Sequence, residues 1–248
     1  MLQPADLNVV RRDPALPGLQ LILDPDLLGH RLAVKDLHSA YIRYKPSTSC
    51  VASLLEGYGS WPFAAAAYPE CRFEIIRTRT EWLDGPSSAR LLEDACVALV
   101  PMTLDRGLKA ASSLGSPEKC VRLLRKLIGR RPHEGFDLAM LRYKPGRRIV
   151  ARLDFSGRTR ALIKAYCARD FSPALAGAKA AAASGGARVL GVDTDRLVVA
   201  YEWLKGKSAC PSLGQLPSNQ EFHLIGERLA HVHSRGTRNL RSESRLAE

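Results

Sequence analysis

The tetrapeptide RYKP stands at Arg43 to Pro46 and again at Arg142 to Pro145, an offset of 99 residues. The same offset lays Cys50 to Leu54 (CVASL) on Ile149 to Leu153 (IVARL), and a further slip of one residue lays Ala66 to Tyr68 (AAY) on Lys164 to Tyr166 (KAY). Matched strings in one order mark an internal duplication, which constrains the chain to two copies of one supersecondary unit. The copies differ at one chemically telling place, where Lys164 of the second has Ala66 opposite it in the first. A methyl group does no electrostatic work on a ligand. The second copy is therefore expected to carry the chemistry, and the first to support or cap it.

Composition narrows the function classes. With 248 residues, 46% hydrophobic and 25% charged, the chain is long enough for one large domain or two small ones. No apolar run approaches the ~20 residues that cross a bilayer. Arg11 and Arg12 follow the first apolar residues, the wrong order for a secretory signal, so a cytoplasmic protein without membrane association is expected. Six dispersed cysteines with no C-x-x-C pair read as reduced thiols. His231 and His233, two residues apart, do not share a helix face, and no metal site is expected there. The net charge of +12 fits nucleic acid, phosphorylated small molecules or a solvated surface. Aromatics are only 6% of the chain and do not interleave the basic residues, so nucleic acid is not the expected partner.

Periodicity places the elements. Leu19 to Leu32, interrupted by Pro25, predicts one or two short helices, and the stretch around the first RYKP predicts strand, turn, strand. Phe73, Ile75 and Ile76 have strand composition before an Asp84 to Pro86 turn. Ser116, Pro117 and Gly129 bracket a helix with Val121, Leu124, Leu127 and Ile128 on its apolar side. The second copy predicts strands at Ala139–Tyr143, Ile149–Phe155 and Ala161–Tyr166, a helix started by Ser172 and Pro173, two strands around the acidic turn Asp193 to Asp195, and a last helix with Phe222, Ile225, Leu229 and Val232 on one side. The architecture expected is α+β, with two small antiparallel sheets and helices: a first unit at 1–115, a helical connector at 116–136 and a second unit at 137–248.

Two strands joined by a turn of Gly146, Arg147 and Arg148, followed by a third strand presenting Lys164, form the layout of a triphosphate clamp. Backbone N–H groups of such a turn approach phosphate oxygens, and the Lys supplies a compact charge. The bland alternative is an edge cation that blocks strand pairing.

The strings LRYKPGRR-IVARL, ALIKAY, VVAYEWLKG and IGERLAHVH, in that order over Leu138 to His233, resemble the small-molecule phosphotransferases of the aminoglycoside-phosphotransferase and maltokinase type, within the protein-kinase-like superfamily. The resemblance implies that the second unit is a kinase-like ATP-binding N-lobe and the first its degenerate duplicate. It implies that Lys164 contacts the phosphates of ATP, that the Gly146, Arg147, Arg148 turn covers them, and that Glu202, Trp203 and Leu204 form a hinge pairing with adenine. Complete members carry magnesium and phosphorylate a hydroxylated small molecule.

The sequence departs from the family twice. Asp170 to Gly186 contains no Glu to orient Lys164 and carries Lys179 instead. No HGD-like catalytic loop with its metal-binding Asp follows the last helix before Glu248, so the chain is expected to be the N-terminal part of an ATP-dependent phosphotransferase, binding nucleotide weakly without turnover and carrying no catalytic residue. The alternative, from another class, is a non-catalytic basic protein that binds an acidic partner or nucleic acid.

Overall fold

Each RYKP string ends one strand and turns into the next. The computed structural model describes residues 2–57, 62–78, 89–129, 136–155, 158–205 and 218–234. In the first unit β1 (Leu37–Lys45), β2 (Ser49–Glu56), β3 (Phe63–Ala67), β4 (Arg90–Leu92) and β5 (Val97–Pro101) form an antiparallel sheet of order β1-β2-β3-β5-β4. In the second, β6 (Phe136–Lys144), β7 (Arg148–Phe155), β8 (Arg158–Tyr166), β9 (Val189–Asp193) and β10 (Val198–Glu202) repeat it as β6-β7-β8-β10-β9. The fold is α+β, and the duplication read from the strings extends through the whole sheet.

Register makes the equivalence residue by residue. Val51 lies opposite Ala66 as Val150 lies opposite Lys164, and Tyr44 opposite Cys50 as Tyr143 opposite Ile149. The slip of one residue between the copies is therefore absorbed in the connection between the second and third strands. A bulge interrupts the first hairpin of each sheet, between Ser39 and Tyr41 and between Met140 and Arg142.

Helices precede each sheet in matching fashion. After α1 (Pro4–Arg12), Asp13 opens a pair of turns closed by the N–H groups of Leu16 and Leu19, leading into α2 (Leu19–Leu23) and the Pro-started α3 (Pro25–Leu32). Asp105 does the same through Leu108 and Ala111, leading into α5 (Ala111–Leu114) and the Pro-started α6 (Pro117–Ile128). Pro at the first helical position costs no hydrogen bond, and Gly129 ends α6 in the left-handed conformation. Leu19, Ile22 and Leu28 bury against one face of the first sheet, and Ala111, Leu124 and Leu127 against the corresponding face of the second. The buried side of α6 is Cys120, Leu123, Leu124 and Leu127, turned slightly from the stripe expected, with Val121 at its margin. The segment expected as a connector thus contains the helix on which the second sheet is built. The units meet where Ala64, on the opposite face of the first sheet, joins the cluster containing Met102 and Leu108.

Three expectations need correction or relocation. Residues expected to form a strand around Phe73 to Ile76 are helix α4 (Glu70–Arg77). Phe73 and Ile76, three apart, bury one helical stripe while Ile75 is left 62% exposed, so two inward positions at helical spacing outweigh β-branched composition. The helix expected to start at Ser172 and Pro173 is α7 (Ala168–Ala183), which starts earlier and carries Pro173 inside it. Phe171 of its first turns is buried with Tyr166 and Tyr201, and that anchor sets the helix start ahead of the Pro. The last helix, α8 (Asn219–Ser234), forms as expected, yet Phe222, Ile225 and Leu229 are exposed. The expected Asp84 to Pro86 turn, Val232 and His233 side chains and Cys210 lie outside the described residues. No helix among the described residues is long and apolar enough to cross a membrane.

Candidate functional site

Alternation along β7 divides its side chains between two faces. Ile149, Ala151 and Leu153 are fully buried against the α5 and α6 layer, so Arg148, Val150 and Arg152 stand on the other face. Pairing adds the flanks: Arg142 of β6 lies directly opposite Val150 on one side and Lys164 of β8 on the other. Val150 is therefore the centre of a cross of four cations. Direct cross-strand neighbours sit about 5 Å away between Cα atoms and the same-strand neighbours about 7 Å.

The cross is poorly neutralised. Asp154 binds the Nε of Arg152 at 2.9 Å through Oδ2, while its Oδ1 is buried without a hydrogen-bond partner. The Nε of Arg148 is likewise buried and unpartnered. Among the described residues Lys164 is in no ion pair; its ammonium lies over the Tyr201 ring, 4.7 Å from the centroid. Burial, then the nearby Arg148 charge, hold the Lys164 pKa below its ordinary value. Two unit charges about 7 Å apart repel by roughly 0.6 kcal/mol in water and about 2 kcal/mol at an effective dielectric near 20. A half-buried pair of this kind is relieved by an anion.

The turn is held from below by Asp105. Its Oδ2 accepts hydrogen bonds from the Tyr143 hydroxyl at 2.8 Å and the Gly146 N–H at 2.7 Å. Asp13 does the same in the first unit, accepting from the Tyr44 hydroxyl and the Ser47 N–H, each at 2.8 Å. This is why the chain carries RYKP twice: the Tyr and the turn N–H are two arms of one carboxylate latch. The second turn requires a left-handed residue, supplied by Gly146 at φ 66°; Ser47 takes the equivalent place in the first at φ 52°. Because the Gly146 N–H is committed to Asp105, the turn offers a ligand its Arg side chains rather than this amide. Arg147 reaches Asp170 in the first turn of α7 at 3.6 Å, and burial of Asp170 is outweighed by Arg169, Cys167 and Arg147, which hold its carboxyl low.

The three residues expected as a hinge lie at the end of β10. The Glu202 N–H donates to the Arg188 carbonyl at 2.8 Å and its carboxylate receives the Arg188 guanidinium at 2.8 and 3.2 Å. Trp203 N–H donates to the Arg160 carbonyl at 3.4 Å, and Leu204 is 58% exposed.

The sequence-expected residues thus divide. Lys164 and Arg148 come together on one face of the sheet, Gly146 and Arg147 shape the adjoining turn, and Glu202 to Leu204 leave the same sheet by the strand that borders Lys164. Arg142, Val150, Arg152 and Asp105 were not singled out. The signal for three of them was present in the alternating string R-I-V-A-R at Arg148 to Arg152 and in the Arg of RYKP itself. The described residues contain no group of three or more His, Cys, Asp or Glu placed to hold a metal. Burial pushes the Cys50 thiol up to about 12 and that of Cys120 to about 11, which keeps both as packing residues. No protein-family model, no curated protein and no solved structure matches the chain.

Proposed function

We propose that the second unit is the nucleotide-binding lobe of a small-molecule phosphotransferase, taking the phosphates of ATP at Lys164 and Arg148 beside the Lys144 to Arg148 turn, and that the first unit is its degenerate, supporting duplicate. The observation that carries this reading is Lys164 itself: a half-buried ammonium without a carboxylate partner among the described residues, beside a second cation, Arg148. Its place on the third strand, next to the strand that runs into Glu202 to Leu204 and with a helix between third and fourth strands, agrees with the layout expected of such a lobe. Phosphate oxygens would pair with the Lys164 ammonium and the Arg148 guanidinium and offset their like charges. Magnesium would travel with the nucleotide, since the described residues hold no group of three or more His, Cys, Asp or Glu placed to bind it.

The first unit lacks the side chains that this role would need. At the positions of Arg148, Arg152 and Lys164 it has Ser49, Ser53 and Ala66, all buried. Small residues there admit the neighbouring unit; long cations in the second keep the equivalent face for a charged ligand.

A thermal-shift titration with magnesium ATP tests the reading. Wild type should rise in Tm with saturation, and Lys164→Ala should lose the rise while keeping its fold by circular dichroism. An unchanged response in Lys164→Ala would sink the assignment. Retention of RNA or DNA that falls steeply with salt, combined with indifference to ATP, would favour the basic interaction protein instead.

A further inference from the structure

We infer that the site reads phosphate charge and is indifferent to the base, so that its ligands are nucleoside triphosphates as a class and inorganic tripolyphosphate with them. The inference rests on the nucleotide reading above and deepens it.

A protein distinguishes a nucleobase by hydrogen bonds to its edge and by stacking on its face. Beside the cross, two backbone amides and two aromatic rings that could serve are engaged internally. On the segment expected to meet the base, Glu202 N–H is bound to the Arg188 carbonyl and Trp203 N–H to that of Arg160, while the Arg188 guanidinium clasps the Glu202 carboxylate. A base seeking those amides would have to displace existing partners. Two aromatic rings adjoin the cross: Tyr201, one face of which is taken by the Lys164 ammonium, and Tyr166, directly opposite Arg148; both are buried, and their hydroxyls meet at 3.1 Å.

The phosphate end is the opposite case. Arg142, Arg148, Arg152 and Lys164 surround Val150, and among the described residues the ion pair they make is that of Arg152 with Asp154, which has Asp137 opposite it, so cations outnumber carboxylates. Arg142 forms no ion pair among the described residues, and Arg148 has a buried Nε with no partner. Compact cationic crosses select ligands by number of negative charges, and a triphosphate supplies three or more where a monophosphate supplies two at most. Affinity should therefore follow the phosphate count and ignore what is attached to it.

The experiment is calorimetric titration of the full chain, at low ionic strength and with or without magnesium, using ATP, GTP, tripolyphosphate, AMP and adenosine. Expected are dissociation constants for ATP, GTP and tripolyphosphate within about threefold of one another, AMP at least tenfold weaker and no heat from adenosine. Arg142→Ser with Arg152→Ser should weaken all three strong ligands together, by tenfold or more. ATP binding tenfold tighter than both GTP and tripolyphosphate would overturn base indifference while leaving the nucleotide reading intact. Absence of binding by all of them, in a chain shown folded by its unfolding transition, would overturn both.

Discussion

Lys164 and Ala66 occupy one position of two equivalent sheets: Lys164 lies opposite Val150 and Val199, and Ala66 opposite Val51 and Ala98. Ala66 is 5% exposed on a face of small residues, whereas Lys164, half-buried beside Val199 and Tyr201 of the α7 cluster, shares its face with Arg142, Arg148 and Arg152. One fold thus serves once as scaffold and once as a charged surface.

Replacing Lys164 by Met should stabilise the ligand-free protein and abolish its response to tripolyphosphate. Burial and Arg148 depress the Lys164 pKa, so the charged form costs stability wherever the pH lies below that lowered value. The cost fades as pH rises through the lowered pKa toward the ordinary 10.5, where the unfolded chain also loses its proton. Urea unfolding of both proteins at neutral and alkaline pH checks this: the advantage of Lys164→Met should shrink in the alkaline range. A constant advantage would refute the electrostatic origin.

Asp105→Asn and Asp13→Asn should each cost about 1 to 3 kcal/mol, since each weakens a latch joining a Tyr hydroxyl and a turn N–H. Only Asp105→Asn should also weaken anion binding, because only its turn precedes Arg147 and Arg148. The first unit is a built-in control for simple destabilisation. Equal loss of ligand affinity in both variants would show that the latch acts through global stability alone.

Asp193 is completely buried and receives the N–H groups of Asp195 and Arg196, the Lys126 ammonium at 3.2 Å and the Arg196 guanidinium at 3.2 Å. Burial raises its pKa, but these donors outweigh it and hold the carboxyl low. Its stabilisation is present above the ordinary 3.8 and is lost as pH falls through the lowered value. Asp193→Asn should destabilise by roughly 3 kcal/mol at neutral pH and flatten the acid limb of the stability curve. An acid limb as steep as that of wild type would assign the acid sensitivity to other carboxylates.

Gly191→Ala should be the most damaging small substitution in the second unit. A Cβ there would fall 1.8 Å from the Leu127 carbonyl oxygen, a backbone atom of α6 that no rotamer change can move away. The strand and helix would have to separate, at a cost of about 3 kcal/mol or more. By contrast, Gly177→Ala meets nothing within 4 Å on α7 and should be neutral to stabilising. Equal Tm values for the two variants would contradict the close packing of α6 on β9.

Local information was enough for much of this. Repeated strings and alternating residues disclosed the duplication, the hairpin strands of both copies, the helix at Pro117 and the contrast between Lys164 and Ala66, because each is written in a window of a few residues. The helix at Glu70 to Arg77 was misread, since its short apolar run suits either periodicity and only burial of Phe73 and Ile76 against the sheet decides. The latch residues Asp13 and Asp105 stand 92 residues apart and not 99, so the offset that aligns the strands misaligns them. The cation cross was completed by register: Arg142 and Lys164 stand on different strands and become neighbours of Val150, between Arg148 and Arg152, only when β6 and β8 pair with β7. The sequence by itself determined that two units exist and which one carries charge. Tertiary structure alone decided what those charges surround and that the Glu202 and Trp203 amides are already bonded, because hydrogen-bond partners across strands leave no trace in local periodicity.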